Sequence, residues 1–203
     1  MAFVIYVCDT ETTGLDCNTN EIVEISFWRL SDNEQKTWLL KALSPSTISE
    51  QALKKNGHKL EDILCKSDFG KENYKEPSDV IKEIESWVMT DDSGINNRVF
   101  IGQNPQFDLG FMKKLWENCN SAETFPFGDF VLDTIHITKF IDLCTGKRRK
   151  FYNLSQLVKD FSITKGKAHR ASEDTRMTKD LFLKQFEPIK DIISDLFKNS
   201  YSD

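Results

Sequence analysis

The sequence predicts an α/β fold in which helices pack on both faces of a mixed central sheet. Three observations carry this. Short apolar runs rich in β-branched and aromatic residues open the chain, and strand and helix signals alternate after residue 77. A length of 203 residues, with 39% hydrophobic and 29% charged side chains, suits one globular domain. The 15 Phe and 4 Trp place the chain outside the disordered class, whose sequences lack the apolar surface to offset ordering entropy.

FVIYVC (3–8) reads as a strand buried on both faces. IVEISFWRL (22–30) and KTWLLKAL (36–43) read as two more, joined through the polar SDNEQ as a hairpin, so the chain opens as a three-stranded meander. Residues 49–64 predict two short helices interrupted at Asn56-Gly57, with Ser49 as N-cap and the glycine as the stop. The polar stretch from Cys65 to Pro77 reads as a loop. Val80, Ile81, Ile84, Trp87 and Val88 recur at helical spacing from Pro77 to about Met89. TDDSGINNR is turn-rich, RVFIG (98–102) reads as a buried strand, and Asn104-Pro105 opens a helix carrying Phe107, Phe111, Leu115 and Trp116. FVLDTIHITKFIDL (130–143) predicts a short strand turning into a helix near Asp133, and YNLSQLVKDF (152–161) a further helix. Ser172 is a candidate cap for a long final helix, kinked or broken at Pro188. One domain is expected over 1–203, with a core over 1–187 and a C-terminal helical extension over 188–203.

Bulk properties exclude several function classes. No apolar run approaches the ~18 residues of a membrane span, and the N-terminus lacks the pattern of a secretory signal, so a cytoplasmic protein with no membrane partner is expected. Cys8, Cys17, Cys65, Cys119 and Cys144 form an odd set without a CxxC pair, indicating neither a disulfide framework nor a zinc site. A net charge of −5 argues against a protein that coats nucleic acid through its overall field. Trp28, Trp38, Trp87 and Trp116 lie in periodic apolar segments and read as core. His58 and His136 have no partner that the sequence identifies.

Asp9 and Glu11 lie two apart at the end of the first strand, so their side chains leave the same face of the sheet. Adjacent acids there cost electrostatic free energy unless a cation binds or a proton is retained, and hard oxygen ligands suit Mg²⁺ or Mn²⁺. Small residues at Thr12, Thr13 and Gly14 would let a phosphate or sugar approach the backbone. A solvated strand end is the bland alternative. Asp108, in NPQFD, and Asp174, in HRASED, each read in isolation as a charge complementing a helix dipole.

Together, DTETTG (9–14), NPQFD (104–108) and HRASED (169–174) resemble, in order, the three motifs of the DnaQ-like DEDDh 3′-to-5′ exonuclease family. The resemblance spans nearly the whole chain and implies a ribonuclease H-like mixed sheet of about five strands. It implies hydrolysis of the terminal phosphodiester of single-stranded DNA with a free 3′ end, releasing nucleoside 5′-monophosphates. Two Mg²⁺, with Mn²⁺ as substitute, would be held by Asp9, Glu11, Asp108 and Asp174. His169 lies five residues before Asp174, the family's spacing for its general base, and Arg170 stands where the sister class has tyrosine. On one continuous helix residues five apart diverge by about 140°, so a shared site requires His169 to precede the helix.

The resemblance also implies substrate contacts at Thr10, Thr12, Leu15, Asn104 and Phe107, with Leu15 as an apolar wedge. Core packing is the alternative for Leu15 and Phe107. Gln103 departs from the histidine often found before the family's asparagine, which touches a substrate contact and not the metal ligands. GKRRK (146–150), followed by Phe151 and Tyr152, reads first as a solvated loop and alternatively as a track for a single strand. An RNA-trimming enzyme of the same family and a non-catalytic nucleic-acid-binding module remain the rival readings. A polymerase partner is left open.

Overall fold

A computed structural model describes residues 3–119, 125–166 and 169–199, with side chains to residue 190. Its centre is a six-stranded mixed sheet of order β4-β3-β2-β1-β5-β6. β1 (Val4–Thr12), β2 (Ile22–Arg29) and β3 (Glu34–Leu40) form the expected antiparallel meander. β5 (Arg98–Gly102) joins β1 in parallel and β6 (Val131–Asp133) joins β5 in parallel. The sixth strand is the two-residue β4 (Tyr74–Lys75), parallel to β3.

The alternation of β1 decides what each face receives. Tyr6 and Cys8 point into the larger apolar layer, under α4 (Pro77–Met89) and α5 (Pro105–Asn118). Phe27 lies at the middle of that layer, its ring within 5.4–6.5 Å of those of Tyr6, Trp38, Trp87, Phe100 and Phe127. Val7 points to the opposite face, where α6 (Thr134–Thr145) and α8 (Ala171–Asn199) pack and Phe182 of α8 is buried. Trp38, Trp87 and Trp116 are buried as expected, and Trp28 packs at the edge of the second layer. None of the five cysteines is paired.

α1 (Glu50–Asn56) begins with the Ser49 hydroxyl accepting from the Ala52 amide and ends at Gly57 with φ 75°, the left-handed stop the sequence predicts. Beyond it come α2 (Leu60–Ile63) and then the main departure. The predicted loop from Cys65 to Pro77 contains α3 (Asp68–Asn73) and β4. Six and two residues are too few for a periodic signal; Ser67 capping the Gly70 amide starts the helix, and pairing with β3 creates the strand. α7 (Leu154–Asp160) follows α6.

α8 corrects two further expectations. It starts at Ala171, with the amides of Glu173 and Asp174 donating to the Arg170 carbonyl, so Ser172 lies inside the first turn and does not cap it. It also continues through Pro188 without the break that was one of the two expectations there. A proline removes one hydrogen bond there, and the flanking turns carry the helix past it.

Candidate active site

Asp9 and Glu11, odd-numbered like Val7, point to the α8 face of β1; Thr10 points to the α5 face. β1 outruns β5, whose pairing with it is recorded from Val4–Arg98 to Val7–Ile101. The chain turns sharply beyond Gly102, where a Cβ would lie 2.9 Å from Pro105 Cβ, and Asn104 adopts φ 65° before Pro105 starts α5. That turn brings Asp108, in the first turn of α5, alongside β1. The Thr10 amide, beyond the recorded ladder with β5, donates to Asp108 Oδ1 at 2.9 Å, and the Thr10 hydroxyl donates to the same oxygen at 2.7 Å.

Asp174 arrives from the other face. The His169 amide donates to Asp174 Oδ2 at 3.0 Å, tying the residue ahead of the helix to its first turn. His169 has φ 65° and lies outside the helix, the arrangement a shared site requires. Glu11, His169 and Asp174 offer ligand atoms within 4.8 Å of one another. Glu11, Asp174 and His169 are thus gathered from β1, the first turn of α8 and the residues ahead of it, while Asp108 is tied to β1 through Thr10 and bears electrostatically on Asp9.

Their electrostatics reflect crowding. Burial, then Asp108, Asp174, Glu11 and Glu24, hold the Asp9 carboxyl well above the usual carboxylate range. Burial and the charges of Asp174 and Glu24 push Glu11 up to about 8, against a smaller opposing effect of Lys55. Asp108 rises to about 7 through burial, which outweighs the two hydrogen bonds from Thr10. Asp174 is raised by burial, partly offset by the His169 amide. Buried, clustered carboxyls that repel one another when ionised fit a hard divalent cation, which would release their protons and offset the repulsion.

The substrate candidates separate. Leu15 is 86% exposed, which excludes core packing. Phe107 is part-buried, its ring 4.9 Å from Phe111 against the larger core. Thr12 is buried with its hydroxyl donating to the Gly14 carbonyl. Asn104 is exposed, its amide donating to Asp133 Oδ1. At Gly14 a Cβ would lie 2.4 Å from the Asn20 side chain, so the packing of Asn20 requires a glycine there.

Sequence reasoning missed Glu24. It pairs across from Glu11 on β2, so it shares the α8 face, and it is 1% exposed. Its Oε2 receives Arg170 Nε at 3.1 Å and His58 Nε2 at 3.0 Å, and His58 Nδ1 meets the Tyr74 hydroxyl at 2.5 Å. His58 is thus packed and partnered in the interior, and His136, its side chain 75% exposed, lies 3.3 Å from Asp133, so the structure supplies the partners that the sequence does not identify. An acid inside the apolar run IVEISF was the available signal. Lys55, which bears on both Glu11 and Asp174, was also missed.

The Exonuclease family model (RNase_T) matches residues 6–182. The chain belongs to this exonuclease family. Among relatives, the DNA polymerase III PolC-type of Staphylococcus haemolyticus (strain JCSC1435) is 25% identical over 186 residues, covering 92% of this chain and 12% of that protein. The 3′-5′ exonuclease DinG of the same organism is 28% identical over 203 residues, covering 96% of this chain and 19% of that protein. The chain thus spans less than a fifth of the length of either relative. A crystal structure of E. coli exonuclease I in complex with a dA16 oligonucleotide superposes with a TM-score of 0.74 at 14% identity, over 97% of this chain and 43% of that one. Cell-death related nuclease 4 (CRN-4) gives 0.72 at 11% identity, over 92% and 64%. These likenesses establish the ribonuclease H-like exonuclease fold. Members of this family are nucleases, and divalent cations are their usual cofactor. Among the described residues no helix is long and apolar enough to cross a membrane.

Proposed function

We propose that the chain is a 3′-to-5′ exonuclease that hydrolyses the terminal phosphodiester of single-stranded DNA and releases nucleoside 5′-monophosphates, with two Mg²⁺, or Mn²⁺ in their place. The observation that carries this reading is the mutual repulsion among Asp9, Glu11, Asp108 and Asp174, with Glu11 and Asp174 beside His169. Those four carboxylates would hold the cations. When bound, the cations supply charge that stabilises the attacking and leaving oxygens of an in-line displacement.

The chain's own residues position and deprotonate. His169, free of α8, takes the proton of the attacking water as general base, a task suited to an imidazole near neutral pH. Thr10 fixes Asp108 through two hydrogen bonds and so acts on the substrate through that carboxylate. The exposed Leu15 supplies an apolar wedge against the terminal base, and Thr12, Asn104 and Phe107 border the same end of the sheet. The dA16 complex of the exonuclease I neighbour supports single-stranded DNA as substrate, and the DinG relative supports the polarity.

Digestion of 5′-labelled single-stranded DNA and RNA with Mg²⁺, Mn²⁺ or EDTA tests the reading. The expected result is a cation-dependent ladder shortening from the 3′ end, stronger on DNA, and abolished in Asp9→Ala. His169→Ala lowers kcat by about 10²- to 10⁴-fold, the usual contribution of a positioned general base. Absence of cation-dependent shortening of either polymer overturns the proposal.

A further inference from the structure

The segment Gly146-Lys147-Arg148-Arg149-Lys150, followed by Phe151 and Tyr152, joins α6 to α7. Four cations in five residues are conspicuous in a chain of net charge −5. One of the four is structural. Arg149 Nε lies 3.0 Å from Asp142 Oδ2, its NH1 reaches Asp160, and its guanidinium lies 5.1 Å from the Phe161 ring centre. Asp142 also accepts the Tyr152 hydroxyl at 2.9 Å. The C-terminal half of the segment is thereby fixed to both of the helices that it connects. A loop present only for solubility has no need of such a buried anchor.

The other cations face outward. Lys147, Arg148 and Lys150 are exposed and take no ion pair among the described residues. Lys150 lies 5.2 Å from the ring centre of Phe151, itself 53% exposed, and Lys139 of α6 lies 5.5 Å from that of Tyr152. Aromatic faces beside unpaired cations are the elements that hold single strands, rings stacking on bases while cations follow phosphates.

Position links this surface to the site. The Gln103 carboxamide donates to the Tyr152 carbonyl at 2.7 Å and accepts from the Thr134 hydroxyl at 2.5 Å. Gln103 directly follows β5 and opens the turn that delivers Asp108. The loop therefore sits against that turn, at the same end of the sheet as the carboxylates. An acidic site in an acidic protein repels a polyanion, and cations bordering it reverse that locally.

We propose that Lys147, Arg148, Lys150 and Phe151 form a docking surface for the backbone and bases of single-stranded DNA upstream of the reacting end. The inference rests on the exonuclease reading for the direction in which the strand enters. Binding of a labelled single-stranded oligonucleotide of about twenty residues, followed by anisotropy in EDTA from about 50 to 200 mM salt, tests it. The full chain is compared with the triple variant K147A/R148A/K150A and with F151A, Arg149 being kept.

Each phosphate contact contributes about 0.7 to the log–log salt slope of single-strand binding, so the triple variant should lose about 2 from that slope. It should bind about 10-fold or more weakly at the lowest salt. F151A should weaken binding about 5-fold or more with the slope unchanged, because stacking releases no counterions. Hydrolysis of the nitrophenyl ester of thymidine 5′-monophosphate, too short to reach the loop, should stay within about twofold of the parent in both variants.

Unchanged affinity and slope in the triple variant overturn the proposal. So does an equal loss on the nitrophenyl ester, which would mark general damage to the site. A parent that binds the oligonucleotide and hydrolyses neither substrate refutes the exonuclease reading, and the salt slope still decides the loop.

Discussion

Thr10 stands between two acids in sequence and serves a third in space. Its amide and hydroxyl both donate to Asp108 Oδ1, so the position of a carboxylate on α5 is set by β1. Thr10→Val keeps the shape and the amide bond but removes the hydroxyl donor. A lost bond to a buried carboxylate costs about 1–2 kcal/mol, and kcat/KM on labelled single-stranded DNA should fall by roughly 10-fold, the rate equivalent of such a loss. Wild-type kinetics in this variant would show that the amide alone suffices. At this scale the sequence was informative where chemistry repeats along the chain: Asp9, Glu11, Asp108, His169 and Asp174 were all legible as motif residues. Glu24 was not, because its place opposite Glu11 depends on the β1–β2 register. His58 was equally hidden, since both partners of its ring come from distant strands, Glu24 of β2 and Tyr74 of β4.

At the scale of elements, the site depends on how two helices begin. α5 begins with a left-handed Asn104, and α8 with a left-handed His169 two residues ahead of its first turn. Arg170, between His169 and α8, is held by the buried carboxylate of Glu24, which His58 also contacts. Arg170→Ala removes that tie and leaves Glu24 with His58. Because the Arg170 side chain is 36% exposed, screening limits the stability loss to about 1–2 kcal/mol. The larger expected effect is a drop in kcat of about 10-fold with KM little changed, since displacement of a catalytic group acts mainly on the chemical step. Steady-state kinetics with a parallel melting curve separate the two, and a KM effect alone would refute the positioning role. The helices and strands with full periods, α4, α5, β1 and β2, were readable from sequence. α3 and β4 escaped because six and two residues are too few to repeat a pattern, and the true start of α8 because Arg170, not Ser172, provides the first acceptor.

The whole molecule joins a large aromatic layer on one face of the sheet to a destabilised cluster of acids at one end of it. Phe27, fully buried among five rings, is central to that layer, and Phe27→Ala should cost about 3–5 kcal/mol in denaturant unfolding. The acid cluster works in the opposite direction, and its sign follows from its protons. Glu11 and Asp108 titrate at about 8 and about 7 in the folded chain, whereas free carboxyls titrate near 4. Between those values the folded state holds protons that the unfolded state has released, so raising the pH favours unfolding. The stabilising contribution is complete below about pH 4 and is lost as the pH passes through about 7–8. In EDTA the melting temperature should therefore fall between about pH 5 and about pH 9, and Mg²⁺ should raise it more at the higher pH, where the ligands are charged. Asp108→Asn removes one repelling charge and should raise the cation-free melting temperature near pH 9 by roughly 3–6 °C, the equivalent of about 1–2 kcal/mol in a chain of this size. It should also shrink the Mg²⁺ shift. A cation-free melting temperature that rises across this window, or an Asp108→Asn protein that melts lower than its parent, would mean that the Thr10 bonds to Asp108 outweigh the repulsion among the acids.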